Sequence, residues 1–161
     1  MKSFKILAID PGIKKIGWAI ARAEKNFKIL DFNCLKTSQK DFLFILNFFE
    51  KLIKKYHPKV LVLEKIIFSK NKKTAIEIAK VIGILELLAQ KYQLEVIEVS
   101  PKELKKMITG NGAASKKEIR KFLELSLEKN LKDFPSDTLD AISLSLAGFY
   151  LTKQKILLKS C

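Results

Sequence analysis

The chain of 161 residues contains 48% hydrophobic and 30% charged residues, a balance typical of a folded globular protein rather than of a disordered one. Its 31 Lys and Arg outnumber its 17 Asp and Glu, giving a formal charge of +14 at pH 7, which favours a polyanionic partner over a neutral metabolite. One hydrophobic core suffices at this length, so we expect a single domain over 1–161, with 151–161 as a basic C-terminal extension.

The cysteines and the N-terminus indicate a cytoplasmic protein. Cys34 and Cys161 are far apart in the sequence, which argues against a disulfide framework and suits a reducing compartment. The N-terminal residues lack the apolar central region of a signal peptide. The most apolar window, 42–49, is much shorter than the roughly 20 residues of a membrane span, so we expect no membrane association.

The first half of the chain predicts three strands, a helix and a fourth strand. Segments 4–9, 16–21 and 27–35 have β-type composition and are separated by turn sequences, which predicts strands joined by hairpins. Apolar residues then recur at helical spacing over 39–56, where a His-Pro pair ends the pattern. The apolar run 60–63 predicts a strand buried on both faces.

The second half predicts a fifth strand and further helices. Helical spacing returns over 71–92, with an apolar face wide enough to suit a contact between two subunits, and a strand follows at 94–99. Two Ser-x-x-Glu capping boxes, at 100–103 and 115–118, each start a helix, the second running to about residue 130. A last helix opens at Pro135-Ser136 and runs towards Tyr150.

This order of elements predicts a mixed α/β fold. The predicted order is three strands, a helix, a strand, a helix, a strand and then further helices. This order fits one five-stranded sheet with helices on both faces. We expect Trp18 to lie in the core and His57, the only histidine, to serve in a turn rather than in a zinc site.

Four acidic residues stand at the ends of predicted elements. Asp10 follows the first strand, Glu64 follows the fourth, and Asp137 and Asp140 lie three positions apart at the start of the last helix. If the first and fourth strands are neighbours, their carboxyl ends bring Asp10 and Glu64 together at the edge where open α/β sheets place their sites.

Clustered carboxylates of this kind imply bound metal. They need cations to stay ionised together, and hard oxygen ligands select Mg²⁺ or Mn²⁺ over Zn²⁺. Two such ions per site would support in-line hydrolysis of a phosphodiester, giving a 5′ phosphate and a 3′ hydroxyl.

Each acid taken alone also has a structural explanation. Asp-Pro-Gly is a common turn, and Glu64 next to Lys65 suits a surface ion pair. Two acids in a first helical turn are favoured by the helix dipole by about 0.3–1 kcal/mol each. The presence of all four in a strongly basic chain is what favours a catalytic interpretation.

Basic residues lie on both sides of the predicted acid site. One group follows Glu64, and a second flanks the loop Gly110-Asn111-Gly112. Each group by itself is more often a solvated surface, but two groups beside the acids would hold a phosphodiester strand, and an aromatic residue would stack on an unpaired base or join the core. The nucleic-acid-binding candidates are Phe68, Lys70, Lys72, Lys73, Lys105, Lys106, Gly110, Gly112, Lys116 and Lys117.

Four motifs together carry a family resemblance. They are Ile-Leu-Ala-Ile-Asp-Pro-Gly at 6–12 with Gly17, Leu-Glu-Lys at 63–65, Thr-Gly-Asn-Gly at 109–112 with Lys116, and Asp-Thr-Leu-Asp-Ala at 137–141. In this order and spacing, over about 4–149, the chain resembles the RuvC family of crossover junction endodeoxyribonucleases. The resemblance implies a ribonuclease-H-like fold, a homodimer, dependence on Mg²⁺ or Mn²⁺, and paired symmetric nicks in four-way (Holliday) DNA junctions during recombination and repair.

The resemblance also assigns roles by position. Asp10, Glu64, Asp137 and Asp140 match the family's metal-binding carboxylates, and Lys105 and Lys116 match lysines of its DNA groove. The helix at 71–92 resembles the family's dimer helix, and the RuvA–RuvB branch-migration motor is an implied partner. The family often has an aromatic residue three positions after the catalytic Glu. That position is Ile67 here, with Phe68 beside it, so either Phe68 takes the aromatic role or stacking at the junction is weaker.

Three alternatives stay open at this point. Lys-Lys-Ile-Gly at 14–17 is similar to the YqgF-type nucleases that process pre-ribosomal RNA, although that family usually lacks the 110–116 segment. An architectural nucleic-acid binder would need only the +14 charge, but carboxylates on a phosphate track weaken binding unless metals are present. An actin-like ATPase fragment shares Ile-Asp-Pro-Gly, but 161 residues leave no room for a second lobe.

Overall fold

The computed structural model describes residues 3–38, 41–66 and 72–159, with the backbone alone for residues 72 and 159. The order of its elements confirms the order predicted from the sequence. The elements are β1 (Phe4–Asp10), β2 (Lys15–Ala23), β3 (Phe27–Lys36), α1 (Phe42–Tyr56), β4 (Val60–Glu64), α2 (Lys72–Lys91), β5 (Glu95–Val99), α3 (Pro101–Thr109), α4 (Lys116–Leu127) and α5 (Ser136–Lys159).

The strands form one mixed sheet in the order β3-β2-β1-β4-β5. β1, β2 and β3 are antiparallel neighbours, whereas β4 runs parallel to both β1 and β5. In the parallel pair, Ile9 is opposite Leu63, so the next residues of the two strands are Asp10 and Glu64. This pairing confirms that the first and fourth strands are neighbours.

Helices cover both faces of the sheet, and each face has its own core. On one face α1 and α2 pack Phe49, Leu85 and Leu88 against the strands. Trp18 belongs to this core and is only 5% exposed, as expected. On the other face α3, α4 and α5 close a second core around Ile6, Val62 and neighbouring residues. The central strands are therefore buried on both sides, which explains their continuous apolar runs.

The long helix α5 lies on the sheet and is buried over residues 138–149, except for the partly exposed Asp140. A helix that is apolar on most sides belongs in an interior, and its buried hydroxyls are satisfied within the helix. Ser143 donates to the carbonyl oxygen of Leu139 at 2.9 Å, for example. α5 ends at Lys159 instead of near Tyr150, so residues 151–159 continue the helix.

The helix ends follow the predicted capping chemistry. At the start of α3, Ser100 Oγ accepts from the backbone N–H of Glu103 while the Glu103 carboxylate accepts from that of Ser100, and the same reciprocal pair starts α4. α4 ends at Leu127, earlier than about residue 130, because Glu128 adopts a left-handed conformation (φ 52°). His57 caps α1 with φ 50° and is exposed, which confirms its turn role.

Cys34 carries a free thiol. Within the ranges that the structure describes, no helix combines the length and apolar character needed to cross a membrane.

Candidate active site at the carboxyl ends of the central strands

The carboxyl ends of β1 and β4 bring Asp10 and Glu64 into contact. Both side chains are partly buried, and a hydrogen bond joins their carboxyl groups. Burial, together with the negative charges of Glu64, Asp140 and Asp137, raises the pKa of Asp10 to about 8. Burial and the charge of Asp140 also raise the pKa of Glu64, while the hydrogen bond from Asp10 opposes this increase. The pair therefore holds a proton that isolated carboxylates would release.

The start of α5 supplies the other two acids, and a glycine lets it approach. Gly17 lies opposite Asp10 in the β1–β2 pair. A Cβ at this position would overlap the carbonyl oxygen of Asp137, so only glycine allows α5 to begin this close to the sheet. The approach places Asp137 and Asp140 within electrostatic range of Asp10. All four predicted acids thus lie around one edge of the sheet, close enough for the other three charges to act on Asp10.

A lysine from α4 balances part of this negative charge. Lys116 Nζ donates to Asp140 Oδ2 at 3.4 Å. Burial raises the pKa of Asp140, and the positive charges of Lys116 and Lys105 oppose that increase. The Lys116 side chain is 74% exposed, so its ammonium group remains accessible to a ligand that approaches from solvent.

The donor set of this cluster consists of carboxylate oxygens, the ligands that Mg²⁺ and Mn²⁺ prefer. Among the described residues, no group of three or more Asp, Glu, His or Cys side chains is arranged so that it could already hold a metal ion. The acids instead interact in two ways: Asp10 with Glu64 through a hydrogen bond, and Asp140 with Lys116 through an ion pair. Oxygen donors whose burial and mutual repulsion raise their pKa values fit a hard divalent cation, since a cation would relieve that repulsion.

The predicted basic residues divide into those near the acids and those away from them. Lys105, on α3 and half-buried, acts electrostatically on Asp140, and the exposed Lys117 lines a pocket that Asp140 also lines. Lys73 and Lys106 are exposed, and no recorded contact joins either side chain to the four acids in the described part of the chain.

The predicted glycines shape the loop after α3. Gly110 caps α3 with φ 79°, a conformation that favours glycine. Gly112 lies against Lys102, where a Cβ would come within 3.2 Å of Lys102 Cγ. The remaining candidates, Phe68, Lys70 and the side chain of Lys72, lie outside the described residues, as does Ile67.

Two residues outside the list of predicted site residues lie beside the acids. One of them, Arg120, belongs to the basic group that flanks the Gly110-Asn111-Gly112 loop in the sequence. Arg120 lines the same pocket as Asp140, and its spacing of four residues from Lys116 on a helix is the signal that would have found it. Cys34 pairs with Gly17 in the β2–β3 ladder. Burial raises the pKa of its thiol, and so does the charge of Asp137. Nothing in the sequence indicates that Asp137 lies near Cys34, because the two residues are far apart along the chain.

Comparison with known proteins gives a consistent result along the chain. Residues 6–148 match the family model of the crossover junction endodeoxyribonuclease RuvC. The chain is 37% identical to the crossover junction endodeoxyribonuclease RuvC of Brachyspira hyodysenteriae over 147 residues, covering 88% of this chain and 91% of that protein. It is 31% identical to the corresponding protein of Finegoldia magna over 159 residues, covering 95% of this chain and 97% of that protein.

A solved structure supports the fold independently. Thermus thermophilus RuvC in complex with a Holliday junction substrate superposes with a TM-score of 0.84 at 22% identity, covering 92% of this chain and 94% of that one. This likeness confirms the ribonuclease-H-like fold. The family match includes the 110–116 segment that YqgF-type nucleases usually lack, so the RNA-processing alternative is not favoured.

Proposed function

The chain belongs to the RuvC family of crossover junction endodeoxyribonucleases, and on that premise we propose how its site cuts four-way DNA junctions. The observation that carries the proposal is the convergence of Asp10, Glu64, Asp137 and Asp140 at the carboxyl ends of β1 and β4, with Lys116 paired to Asp140. These four acids are the catalytic carboxylates. A related structure is described as a complex with a Holliday junction substrate, which supports the same substrate for this chain.

The four acids would hold divalent cations, Mg²⁺ or Mn²⁺, with two ions in each site. When bound, such ions supply an activated water and stabilise the leaving 3′ oxygen of an in-line displacement. The protein's own contribution is electrostatic and positional. Asp10 and Glu64 give up their shared proton, so that both become ligands. The exposed ammonium group of Lys116 and the nearby Lys105 attract and orient the DNA backbone.

Basic residues beyond the acids extend this DNA surface. Lys106, Lys117 and Lys73 are exposed on α3, α4 and the first turn of α2, where they would contact phosphates farther from the cut. The glycines at 110 and 112 would let the loop backbone approach a strand. From the sequence, Phe68, Lys70 and Lys72 remain candidates for DNA binding.

We further propose that two copies of the chain associate through α2. Ile76 and Leu87 are 55% and 59% exposed on this helix. Gly83 lies between them on the same side, and a Cβ added there would meet nothing within 4 Å. An exposed apolar stripe with a glycine at its centre suits close contact with the same stripe of a second copy. Two sites related by two-fold symmetry would then nick two opposing strands.

The wider assignments rest on the family. We propose that residues 1–161 form one nuclease domain, that the protein works in the cytoplasm, and that the RuvA–RuvB branch-migration motor delivers its junction. The basic composition, with a formal charge of +14, supports DNA as the main partner.

Cleavage of a labelled mobile four-way junction tests the function directly. With Mg²⁺ or Mn²⁺ we expect paired nicks in the junction, none in a linear duplex of the same sequence and none with EDTA. In Asp140→Asn the cleavage rate should fall at least about a thousandfold, because losing a metal ligand removes several kcal/mol of transition-state stabilisation. Junction binding should persist.

Asp133→Asn is the matched control, since Asp133 is an exposed carboxylate in the loop before α5. It should cleave like the unmodified protein. Full activity in Asp140→Asn would remove that residue from the catalytic set. Preferential cleavage of a precursor ribosomal RNA fragment in direct competition with the junction would contradict the DNA substrate.

A further inference from the structure

A pocket of about 220 Å³ opens beside Asp140, between the starts of α4 and α5. Three basic side chains line it, Lys116, Lys117 and Arg120, against the single carboxylate of Asp140. That carboxylate already pairs with Lys116 at 3.4 Å. The positive charges of Lys117 and Arg120 are therefore left to act on whatever enters the pocket.

Arg120 is the unusual member of this group. It is half-buried, yet none of the ion pairs recorded among the described residues involves it. A guanidinium group stays charged at every physiological pH. Because residues four apart share a helix face, Arg120 projects from α4 on the same side as Lys116. Arg120 thus lines a basic pocket and has no ion pair among the described residues, an environment that favours an anionic ligand.

We infer that this pocket binds a second phosphate of the cleaved strand, the one next to the scissile phosphate, with Arg120 as its main contact and Lys117 in support. The inference rests on the proposed function, since the scissile phosphate must lie at the four acids. Asp140 belongs both to that cluster and to the pocket wall, so the pocket begins directly beside the cutting site.

The chemistry of the two side chains suits this role. The planar guanidinium fork matches the oxygens of a phosphate and can hold two of them at once, whereas a lysine contributes one mobile point charge. Holding two successive phosphates, one at the acids and one at Arg120, fixes the direction of the strand at the scissile bond and so aligns it for in-line attack. Arg120 is thus a positioning residue.

Removing the charge of single phosphates tests the contact. We would prepare junctions that each carry one neutral methylphosphonate, at successive positions on either side of the cut. Each is then assayed for binding and for single-turnover cleavage by the unmodified protein and by Arg120→Gln. For the unmodified protein, a methylphosphonate at one position adjacent to the cut should slow cleavage by roughly tenfold or more, the size expected for a charged hydrogen-bonded contact.

Arg120→Gln should show a comparable loss on the unmodified junction and no further loss from the methylphosphonate at that one position. At other positions its sensitivity should match that of the unmodified protein. The cleavage rate of Arg120→Lys should lie between those of the unmodified protein and Arg120→Gln, because lysine keeps the positive charge and lacks the planar guanidinium fork. Lys121→Gln is the control, since it removes the same charge from an exposed neighbour on α4 outside the pocket, and its pattern should equal that of the unmodified protein.

Two results would overturn the inference, and they are distinguishable. If Arg120→Gln keeps the full methylphosphonate sensitivity at every position while the unmodified protein cleaves junctions, the pocket does not bind the neighbouring phosphate and the proposed function stands. If the unmodified protein does not cleave junctions with either metal, both the function and this inference are wrong.

Discussion

Asp10 follows a strand whose residues 6–9 are fully buried, and this position sets its chemistry. A carboxyl group there loses hydration and faces three other acids, so its pKa rises from 3.8 to about 8. Lys116 and Arg120 show the opposite situation at the same site: one cation is paired with Asp140 and the other has no recorded carboxylate partner. The site thus contains acids whose negative charges are only partly balanced, and beside them the Arg120 guanidinium, whose positive charge has no ion-pair partner among the described residues.

The raised pKa of Asp10 predicts how stability depends on pH in EDTA. From about pH 4 to about pH 8 the folded protein keeps a proton on Asp10 that the unfolded chain releases. Because the folded state binds more protons, this group's contribution to stability is complete below about pH 4 and is lost as pH rises through about 8. The raised pKa values of Glu64 and Asp140 act in the same direction.

We therefore expect Asp10→Asn to raise the melting temperature in EDTA more at pH 8 than at pH 5, by roughly 2–4 °C for each kcal/mol of repulsion relieved. Adding Mg²⁺ at pH 8 should stabilise the unmodified protein more than the variant. Thermal unfolding by circular dichroism measures both effects, with Asp133→Asn as the control that keeps the original pH dependence. An unchanged pH dependence in Asp10→Asn would contradict the assigned pKa.

At the scale of elements, the position of the α5 start decides whether the site forms. β1 and β4 place Asp10 and Glu64 through their register, but Asp137 and Asp140 reach them only because α5 packs directly over Gly17. A second glycine, Gly148, allows a similar approach farther along the same helix, where a Cβ would overlap Val62 Cγ2. The two glycines have the same packing role at different distances from the acids.

This difference gives a matched pair of variants. Gly17→Ala and Gly148→Ala should each reduce stability by about 1–3 kcal/mol through overpacking. Only Gly17→Ala should also lower the cleavage rate, because its clash is with the backbone of Asp137 and forces the helix start to move. Denaturant unfolding and cleavage assays well below the melting temperature separate the two effects. Equal losses of activity in both variants would show that the approach at Gly17 has no special role in catalysis.

At the scale of the whole molecule, the apolar surface of α2 is a feature that the monomer does not explain. Leu87 is 59% exposed on a helix whose other side is buried against the sheet and α1. If a second copy covers it, symmetric cutting follows from the symmetry of the assembly.

We expect the protein to be a dimer at micromolar concentration and Leu87→Glu to be a monomer, because a charge in an apolar interface is costly to bury. The monomer should keep its fold and lose paired nicking. Leu125→Glu is the control, since Leu125 is 71% exposed on α4 and away from α2. Light scattering after gel filtration measures the masses. A dimeric Leu87→Glu would place the interface elsewhere.

Much of the fold was predictable because its signals are local. The strand runs, both capping boxes and the turn at His57 depend on residues within one or two turns of each other. The end of α4 was not predictable. Glu128 ends the helix in a left-handed conformation, which non-glycine residues rarely adopt and which its residue type therefore does not indicate. The last turns of α5 place Lys155 at 2.6 Å from Glu95 of β5, a contact across 60 residues that no local pattern in the sequence predicts.

The sequence by itself determined the order of the elements, the four acids at their ends and the family, because motifs and periodicity are properties of the chain. Only the tertiary structure decided which groups meet. The proton shared by Asp10 and Glu64, the pairing of Lys116 with Asp140, and the position of Arg120 in a basic pocket all join residues from different elements. The physical reason is that burial and Coulomb interaction depend on distance in space, which sequence separation does not encode.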